Sequence, residues 1–297
     1  MRAVVIVSAL GLVLTGAAAH ASDKVFDHQV AAQPHGVVEV SNVSGSIKIT
    51  GWDRPEVSVH ADAGAGVERV DVTSENGRTF VKVVLPSHSG RDADADLTVQ
   101  IPKDSELTVS AVSADVTTAG VTGMQRLNSV SGEVSAELAG SDLELKTVSG
   151  DVKLKGHGQP ARLHVGTVSG DMHLEHGAGD LEATTVSGTL VASLDTARSV
   201  RARSTSGDVR IEAHLTRGAS FDATSVSGDL NVRASADGGY AYEISTFSGD
   251  ITDCFDAKPG RTGKYTPGST LEGTRGEGTG HMHLKTMSGD VQLCDRP

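Results

Sequence analysis

An acidic residue recurs at regular intervals along this chain, each time directly after a Ser-Gly or Ser-Ala pair. Its copies, which we call the acidic row, are Asp115, Glu133, Asp151, Asp171, Asp208, Asp229, Asp250 and Asp290. If the copies stack, the carboxylates line up, and carboxylate oxygens are the ligands that Ca²⁺ prefers. The alternative is that each carboxylate accepts turn N–H groups and faces water. We favour the turn, because one carboxylate per copy is a thin ligand set and Thr189 interrupts the row. The sequence therefore predicts no metal site.

A hydroxyl side chain precedes each of these glycines by three positions throughout the main run of copies, as in Thr147, Thr167, Thr185 and Ser204. A serine or threonine nucleophile needs a fixed base and a group that orients the base. The sequence has no Gly-x-Ser-x-Gly and no histidine set apart from the repeat. We interpret the hydroxyls as structural and predict no catalytic residue.

Two pairs of closely spaced histidines raise the question of zinc: His173 with His176, and His281 with His283. A zinc site usually needs three or four ligands, so we interpret both pairs as exposed strand residues. Gly276, Gly278 and Gly280 do not lie between a strand and a helix, which excludes a dinucleotide loop. The sequence therefore predicts no cofactor.

The copies are marked by what we call corner glycines, one for each Ser-Gly pair. They are Gly45, Gly132, Gly150, Gly170, Gly188, Gly207, Gly228, Gly249 and Gly289, with Ala114 in the glycine place of one further copy. From Gly132 to Gly249 they are 18 to 21 residues apart, and Gly249 and Gly289 are 40 apart. Apolar residues alternate on both sides of each corner, which predicts strand, corner and strand. Stacked copies of this kind predict an all-β fold, a right-handed parallel β-helix or β-solenoid with coils of about 18–21 residues.

The alternation also predicts which side chains face the core of one coil. Leu163, Val165, Met172 and Leu174 should point inward, with His164 and His173 outward. Val148 and Val168, two positions before a corner glycine, are apolar and are expected inside as well.

The chain divides into three parts by pattern. Residues 1–21 read as a signal peptide, because a basic start and an apolar run lead to Ala19-His20-Ala21, an Ala-x-Ala cleavage site. Residues 22–106 are an irregular N-terminal β part that caps the solenoid, or else a small separate β-domain. Between Gly45 and Ala114 there is room for three or four coils. Residues 107–297 are the regular solenoid, with a Gly-rich loop at 255–280.

Composition limits the compartment and the partners. The net charge of −12 repels phosphates, which makes nucleic acid an improbable partner. No segment after the signal peptide is long and apolar enough to span a membrane. The protein is therefore expected to be exported, to the periplasm or to the cell surface.

The two cysteines are predicted to form a disulfide. Cys254 and Cys294 each lie five residues after a corner glycine, so they occupy equivalent places in their copies. If 255–280 is a loop, the two coils are neighbours and these positions are about 4.8 Å apart, within reach of a disulfide. The bridge would then pin the last coil, which we expect to have no following coil to cover it.

Several segments resemble a bacterial family of secreted or envelope proteins named "putative adhesins", whose domain has no established function. The resemblance rests on Asn42-Val43-Ser44-Gly45-Ser46-Ile47 followed by Gly51-Trp52-Asp53, on Asp96-Leu97-Thr98-Val99-Gln100-Ile101-Pro102, and on the Val-Ser-Gly-Asp copies that end at Met287-Ser288-Gly289-Asp290-Val291. It implies a β-solenoid at the cell envelope and supplies no catalytic residues.

Three functions compete on this basis. The first is a non-enzymatic exported envelope protein, an adhesin-like binding or scaffold module whose partner is an envelope protein or surface ligand of unknown identity. The second is a regulatory envelope-stress protein that acts through a protein partner. The third and least favoured is a carbohydrate-active β-helix enzyme. Against it, no Phe, Tyr or Trp lies between Val81 and Ser220, where a sugar cleft would offer aromatic platforms, and a glycosidase needs two placed carboxylates.

Overall fold

The structure, a computed structural model, describes residues 24–86, 93–255, 259–261 and 268–295. The expected signal peptide lies outside these residues. All of the regular elements in the described ranges are strands, which join into one hydrogen-bonded sheet. The chain is therefore an all-β protein, as the alternation predicts.

The strands fall into three groups along the chain. The N-terminal group is β1 (Lys24–Ala31), β2 (Val37–Trp52), β3 (Glu56–Ala63), β4 (Arg69–Glu75), β5 (Arg78–Val84) and β6 (Ala95–Pro102). The central group is β7 (Glu106–Ala119), β8 (Gln125–Ser131), β9 (Val134–Leu138), β10 (Leu143–Ser149), β11 (Val152–Gly156), β12 (Ala161–Ser169), β13 (Met172–Ser187), β14 (Leu190–Ser206), β15 (Val209–Ser227) and β16 (Leu230–Ala236). The C-terminal group is β17 (Gly239–Ser248), β18 (Ile251–Asp253), β19 (Gly260–Arg261), β20 (Ser269–Gly276), β21 (Gly280–Ser288) and β22 (Val291–Cys294).

The central strands stack as the coils of a solenoid. Each coil has one strand before its corner glycine and one after it, and both pair in parallel with the equivalent strands of the neighbouring coils. Thus β10 pairs with β8 and β12, and β11 pairs with β9 and β13. Hydrogen bonds between neighbouring corners join residues 18 to 21 apart. The predicted stacking of short coils is confirmed for this region.

Side chains alternate between the core and the surface along every strand of the stack. Leu163, Val165, Met172 and Leu174 are at most 4% exposed, while His173 is about half exposed. The predicted inward register of this coil is confirmed. The buried apolar side chains form one cluster that extends from Val38 to Leu293.

Val148 and Val168 are the exception, because both are 48% exposed where the sequence predicted burial. The period-two alternation continues without a break through the hydroxyl residue, so Thr147 and Thr167 face the core instead. The valine that follows is then turned outward. The break in phase comes one residue later, at the exposed serine before the glycine.

The N-terminal end of the stack does not follow the order of the sequence. Gly45 pairs in register with Ala114 on one side and with Ala95 on the other. The coil of β2 therefore lies between the coil of β5 and β6 and that of β7. The residues between Gly45 and Ala114 do not supply the expected three or four coils, since β3 and β4 pair antiparallel to β6 and β5 and β1 covers β3.

The C-terminal end repeats this arrangement. Strand β21 pairs in parallel with β15 and with β17, and β22 pairs with β16 and with β18. The last coil in the sequence is therefore internal, contrary to the expectation that it would end the stack. Part of the expected loop at 255–280 is the strand β20, which covers β17 in antiparallel register.

A disulfide joins Cys254 to Cys294 with their Cα atoms 4.9 Å apart, as their equal offsets from the corners predict. The corners of Gly249 and Gly289 stack directly, because a Cβ added to Gly249 would lie 2.1 Å from the Gly289 carbonyl oxygen. The bridge therefore ties the outermost coil to the inserted one.

Truncation of one buried leucine tests this register. We expect Leu174→Ala to lower the free energy of unfolding by about 2–5 kcal/mol, because it removes buried methyl groups and leaves a cavity. The neighbouring change His173→Ala removes an exposed side chain and should cost far less. Urea unfolding of both variants measures the difference, and equal losses would mean that the register is wrong.

Candidate surface at the coil corners

The corner glycines stack backbone against backbone. A Cβ added to Gly170 would lie 2.3 Å from the Gly150 carbonyl oxygen, and one added to Gly188 would lie 2.2 Å from that of Gly170. Both glycines also have positive φ, 156° and 134°, where a side chain is strained. Glycine is thus required at these corners by close approach as well as by conformation.

The acidic row closes the same corners with hydrogen bonds across coils. Asp115 Oδ1 accepts the backbone N–H of Glu133 at 2.8 Å, and Asp151 Oδ1 accepts that of Asp171 at 3.0 Å. The same bond recurs at four further corners along the stack. Six of the eight carboxylates therefore cap a neighbouring coil rather than their own turn, which refines the predicted turn role.

The hydroxyl side chains three positions before the glycines form a buried column. Its members, between 2% and 6% exposed, are Ser129, Thr147, Thr167, Thr185, Ser204, Ser225, Thr246 and Thr286. Ser204 Oγ donates to the Gly207 carbonyl oxygen at 2.9 Å, and Thr246 Oγ1 to that of Gly289 at 3.1 Å. Together with Thr286, these hydroxyls hold the corner backbone from inside the core. The other five hydroxyls of the column are buried with no hydrogen-bond partner among the described residues.

The opposite corner of the coils carries an ion-pair ladder that the sequence analysis missed. Arg162 donates to Asp142 through its backbone N–H and its guanidinium. Arg198 donates to Asp180 through its guanidinium alone. Burial alone would raise the pKa of Asp142, but the hydrogen bonds from Arg162 outweigh it and hold that pKa below its ordinary value. These four residues line a shallow groove of about 510 Å³. The sequence does carry a signal for these pairs, because the two partners of each pair are one coil apart: 20 residues from Asp142 to Arg162 and 18 from Asp180 to Arg198.

The histidine pairs do not converge on common sites. His173 contacts Glu175 at 3.2 Å, whereas His176 contacts Asp195 at 3.3 Å from a separate position. His283 lies in register between Asp222 and Glu243 on neighbouring strands. Within the described ranges, no three His, Cys, Asp or Glu side chains are arranged to hold a metal ion.

None of the described segments forms a helix of the length and apolarity that a membrane span requires.

The sequence matches the family model described as Toastrack DUF4097 over residues 44–294. The family resemblance inferred from the repeats is thereby confirmed. No curated protein matches the chain.

Several solved structures align with most of the chain at low sequence identity. A "putative adhesin" from Bacteroides fragilis is 14% identical, with 92% of this chain and 98% of that one covered at a TM-score of 0.44. A "putative cell adhesion protein" from Clostridium sporogenes is 9% identical over 92% and 100% of the two chains, at a TM-score of 0.25. A "putative lipid binding protein" from Parabacteroides distasonis is 9% identical over 92% and 97%, at 0.38.

A methyl group at one corner tests the backbone stacking. We expect Gly170→Ala to lower the free energy of unfolding by about 1–3 kcal/mol or more, because the Cβ meets a backbone oxygen that cannot move aside. Gly166→Ala, on a strand of the same coil with no atom within 4 Å of the added Cβ, is the matched control.

The control variant should be neutral or more stable by up to about 1 kcal/mol, since alanine restricts the unfolded chain. Thermal and urea unfolding of both proteins decides the point. A Gly170→Ala protein as stable as the Gly166→Ala protein would contradict the corner geometry.

Proposed function

This chain belongs to the Toastrack DUF4097 family, and we propose that it is a non-enzymatic exported protein of the cell envelope, an adhesin-like binding or scaffold module. The observation that carries the proposal is the repetition of the corner surface. Most coils present the same short set of side chains at the same place, over ten stacked coils from the Gly45 corner to the Gly249 corner, with exceptions at Ser46, Thr189 and Thr205. Repeat proteins use such extended surfaces for binding.

The proposal extends to the shape of the coil and to the compartment. A right-handed coil follows from the strong preference of crossovers between parallel strands for that hand. Export is supported by Ala19-His20-Ala21 at the end of the apolar run. The disulfide between Cys254 and Cys294 supports it independently, because disulfides persist in oxidising compartments.

Export is tested by the N-terminus of the protein recovered from cells that express the full sequence. We expect cleavage after Ala21, so that the purified protein begins at Ser22. N-terminal sequencing of the envelope or secreted fraction gives the answer. A protein that retains Met1 in a membrane fraction would contradict the signal-peptide assignment.

Binding to the envelope tests the function itself. Labelled protein spanning residues 22–297 should bind isolated cell envelopes saturably, and unlabelled protein should compete. The matched control is the same labelled protein with its unlabelled competitor denatured. Linear, uncompeted uptake by the envelopes would defeat the proposal. A captured signalling protein in crosslinked envelopes would instead identify the regulatory function considered from the sequence.

A further inference from the structure

The residue two positions before each corner glycine is apolar and exposed along almost the whole stack. We call these side chains the apolar row. In spatial order they are Val43, Val112, Val130, Val148, Val168, Val186, Val226, Met287 and Phe247. The flanking residues pair in register from coil to coil, as Ser149 does with Ser169 and Ser248 with Ser288. Only Thr205, between Val186 and Val226, breaks the row.

The row is a strip of stacked side chains with one interruption, at Thr205, and not a scatter of single residues. Each member is between 40% and 56% exposed, and the steps between coils are about 4.8 Å, so the strip is roughly 43 Å long. Monomeric proteins rarely expose contiguous apolar surface on this scale unless it binds something. The outward positions elsewhere on the strands carry charged side chains, such as Lys153, Lys155 and Arg210.

The acidic row runs beside the apolar row, three residues further along each coil. One oxygen of most of these carboxylates accepts a backbone N–H from the next coil. Among the described residues, only two members of the acidic row form ion pairs: Glu133 with Lys153 at 2.7 Å, and Asp208 with Arg210 at 2.9 Å. The corner therefore offers apolar side chains next to a line of negative charge.

This combination of charges disfavours two of the possible occupants. A second copy docked corner to corner would bring two acidic rows together, and like charges in an interface are costly. The surface of an anionic membrane would be repelled for the same reason. The complementary surface is one that is apolar with basic residues along its flank.

The spacing of the coils favours a helix as the carrier of that surface. Side chains on one face of an α-helix recur about every 5.4 Å, close to the step of about 4.8 Å between coils. Same-side residues of an extended strand are about 6.6 Å apart, and would lose register with the row sooner.

We propose that the apolar row and the acidic row together form a docking surface for a basic amphipathic helix of a partner polypeptide, an inference that rests on the proposed binding function. Val226, Met287 and Phe247 are neighbours at one end of the row and include its two bulkiest side chains. Large apolar anchors of this kind carry most of the energy in protein interfaces. We therefore expect these three residues to contribute most of the binding energy of the docking surface.

The probe is a fluorescein-labelled helical peptide of about 18 residues, roughly five turns, with leucines on one face and lysines along its flank. The oxidised mature chain should bind it with a dissociation constant that rises with salt concentration. The same peptide with glutamate in place of each lysine should not bind. Equal affinity for the two peptides in fluorescence anisotropy would overturn the proposal.

Two pairs of variants test the apolar row. Val226→Ser with Phe247→Ser should weaken binding of the lysine peptide about tenfold or more. Val25→Ser with Phe80→Ser removes the same residue types at similar exposure, 58% and 40%, away from the corner, and should leave affinity unchanged. The proposal fails if the corner variant binds as the wild type does.

Charge is tested without loss of the corner hydrogen bonds. Asp229→Asn with Asp290→Asn keeps an Oδ1 acceptor for each backbone N–H and removes two charges, so affinity and its salt dependence should both fall. Glu75→Gln with Glu272→Gln removes two exposed charges elsewhere and should leave both unchanged. Equal effects of the two pairs would overturn the role of the acidic row.

Other occupants would be detected in the same set of proteins. A dimer in sedimentation that the Val226 and Phe247 variant dissolves, or vesicle binding that the same variant abolishes, would replace the helix with a second copy or a lipid surface and overturn the proposal. Loss of peptide binding with saturable envelope binding intact rejects this docking surface alone. Loss of envelope binding rejects the broader function.

Discussion

The close approach of backbone to backbone at the corners is the constraint on which this molecule depends. Parallel strands in neighbouring coils pair only if the corners between them stack at the same distance as the strands, about 4.8 Å. At Gly170 that distance leaves no room for a Cβ. Once the glycine is fixed, its neighbours have fixed directions, since a strand alternates inward and outward from the corner. The buried hydroxyl, the exposed valine and the capping carboxylate are then placed by their offsets from that residue.

Offsets from the corner are also what the sequence predicted well. The inward places of Leu163 and Leu174 and the meeting of Cys254 with Cys294 follow from position within a copy. The prediction that Val148 and Val168 are buried was wrong. The alternation of inward and outward side chains places Thr147 and Thr167 in the core, so the valine after each of them faces outward despite its apolar side chain. The repeat pattern could not predict the order in which the end coils stack in space. The segments around Gly45 and Gly289 fit the pattern whichever coils lie next to them.

Aromatic side chains gather where the stack has to be closed. The hydrophobic core of the central coils, from β7 to β16, is aliphatic except for one aromatic side chain, Phe221. At the C-terminal end Tyr240, Tyr242 and Phe255 lie against one another, with ring centroids 6.2 and 6.3 Å apart. The guanidinium of Arg275 lies 3.9 Å from the centre of the Phe255 ring and pairs with Asp295. Burial raises the pKa of Tyr240 to about 12, so its phenol stays neutral beneath this cover.

The insertion of β21 and β22 between two earlier coils has a consequence for the order of assembly. Strands β17 and β18 precede them in the chain, yet have no parallel partner to rest on until residues 280–294 are in place. A chain that emerges from its N-terminus can stack its central coils one after another, but it must hold its penultimate segment open until the final one arrives. We therefore expect β17, β18, β21 and β22 to complete this end together, because the pairing of β17 and β18 with the stack depends on β21 and β22. Unravelling from the C-terminus is hindered likewise, because the terminal strands are held on both sides.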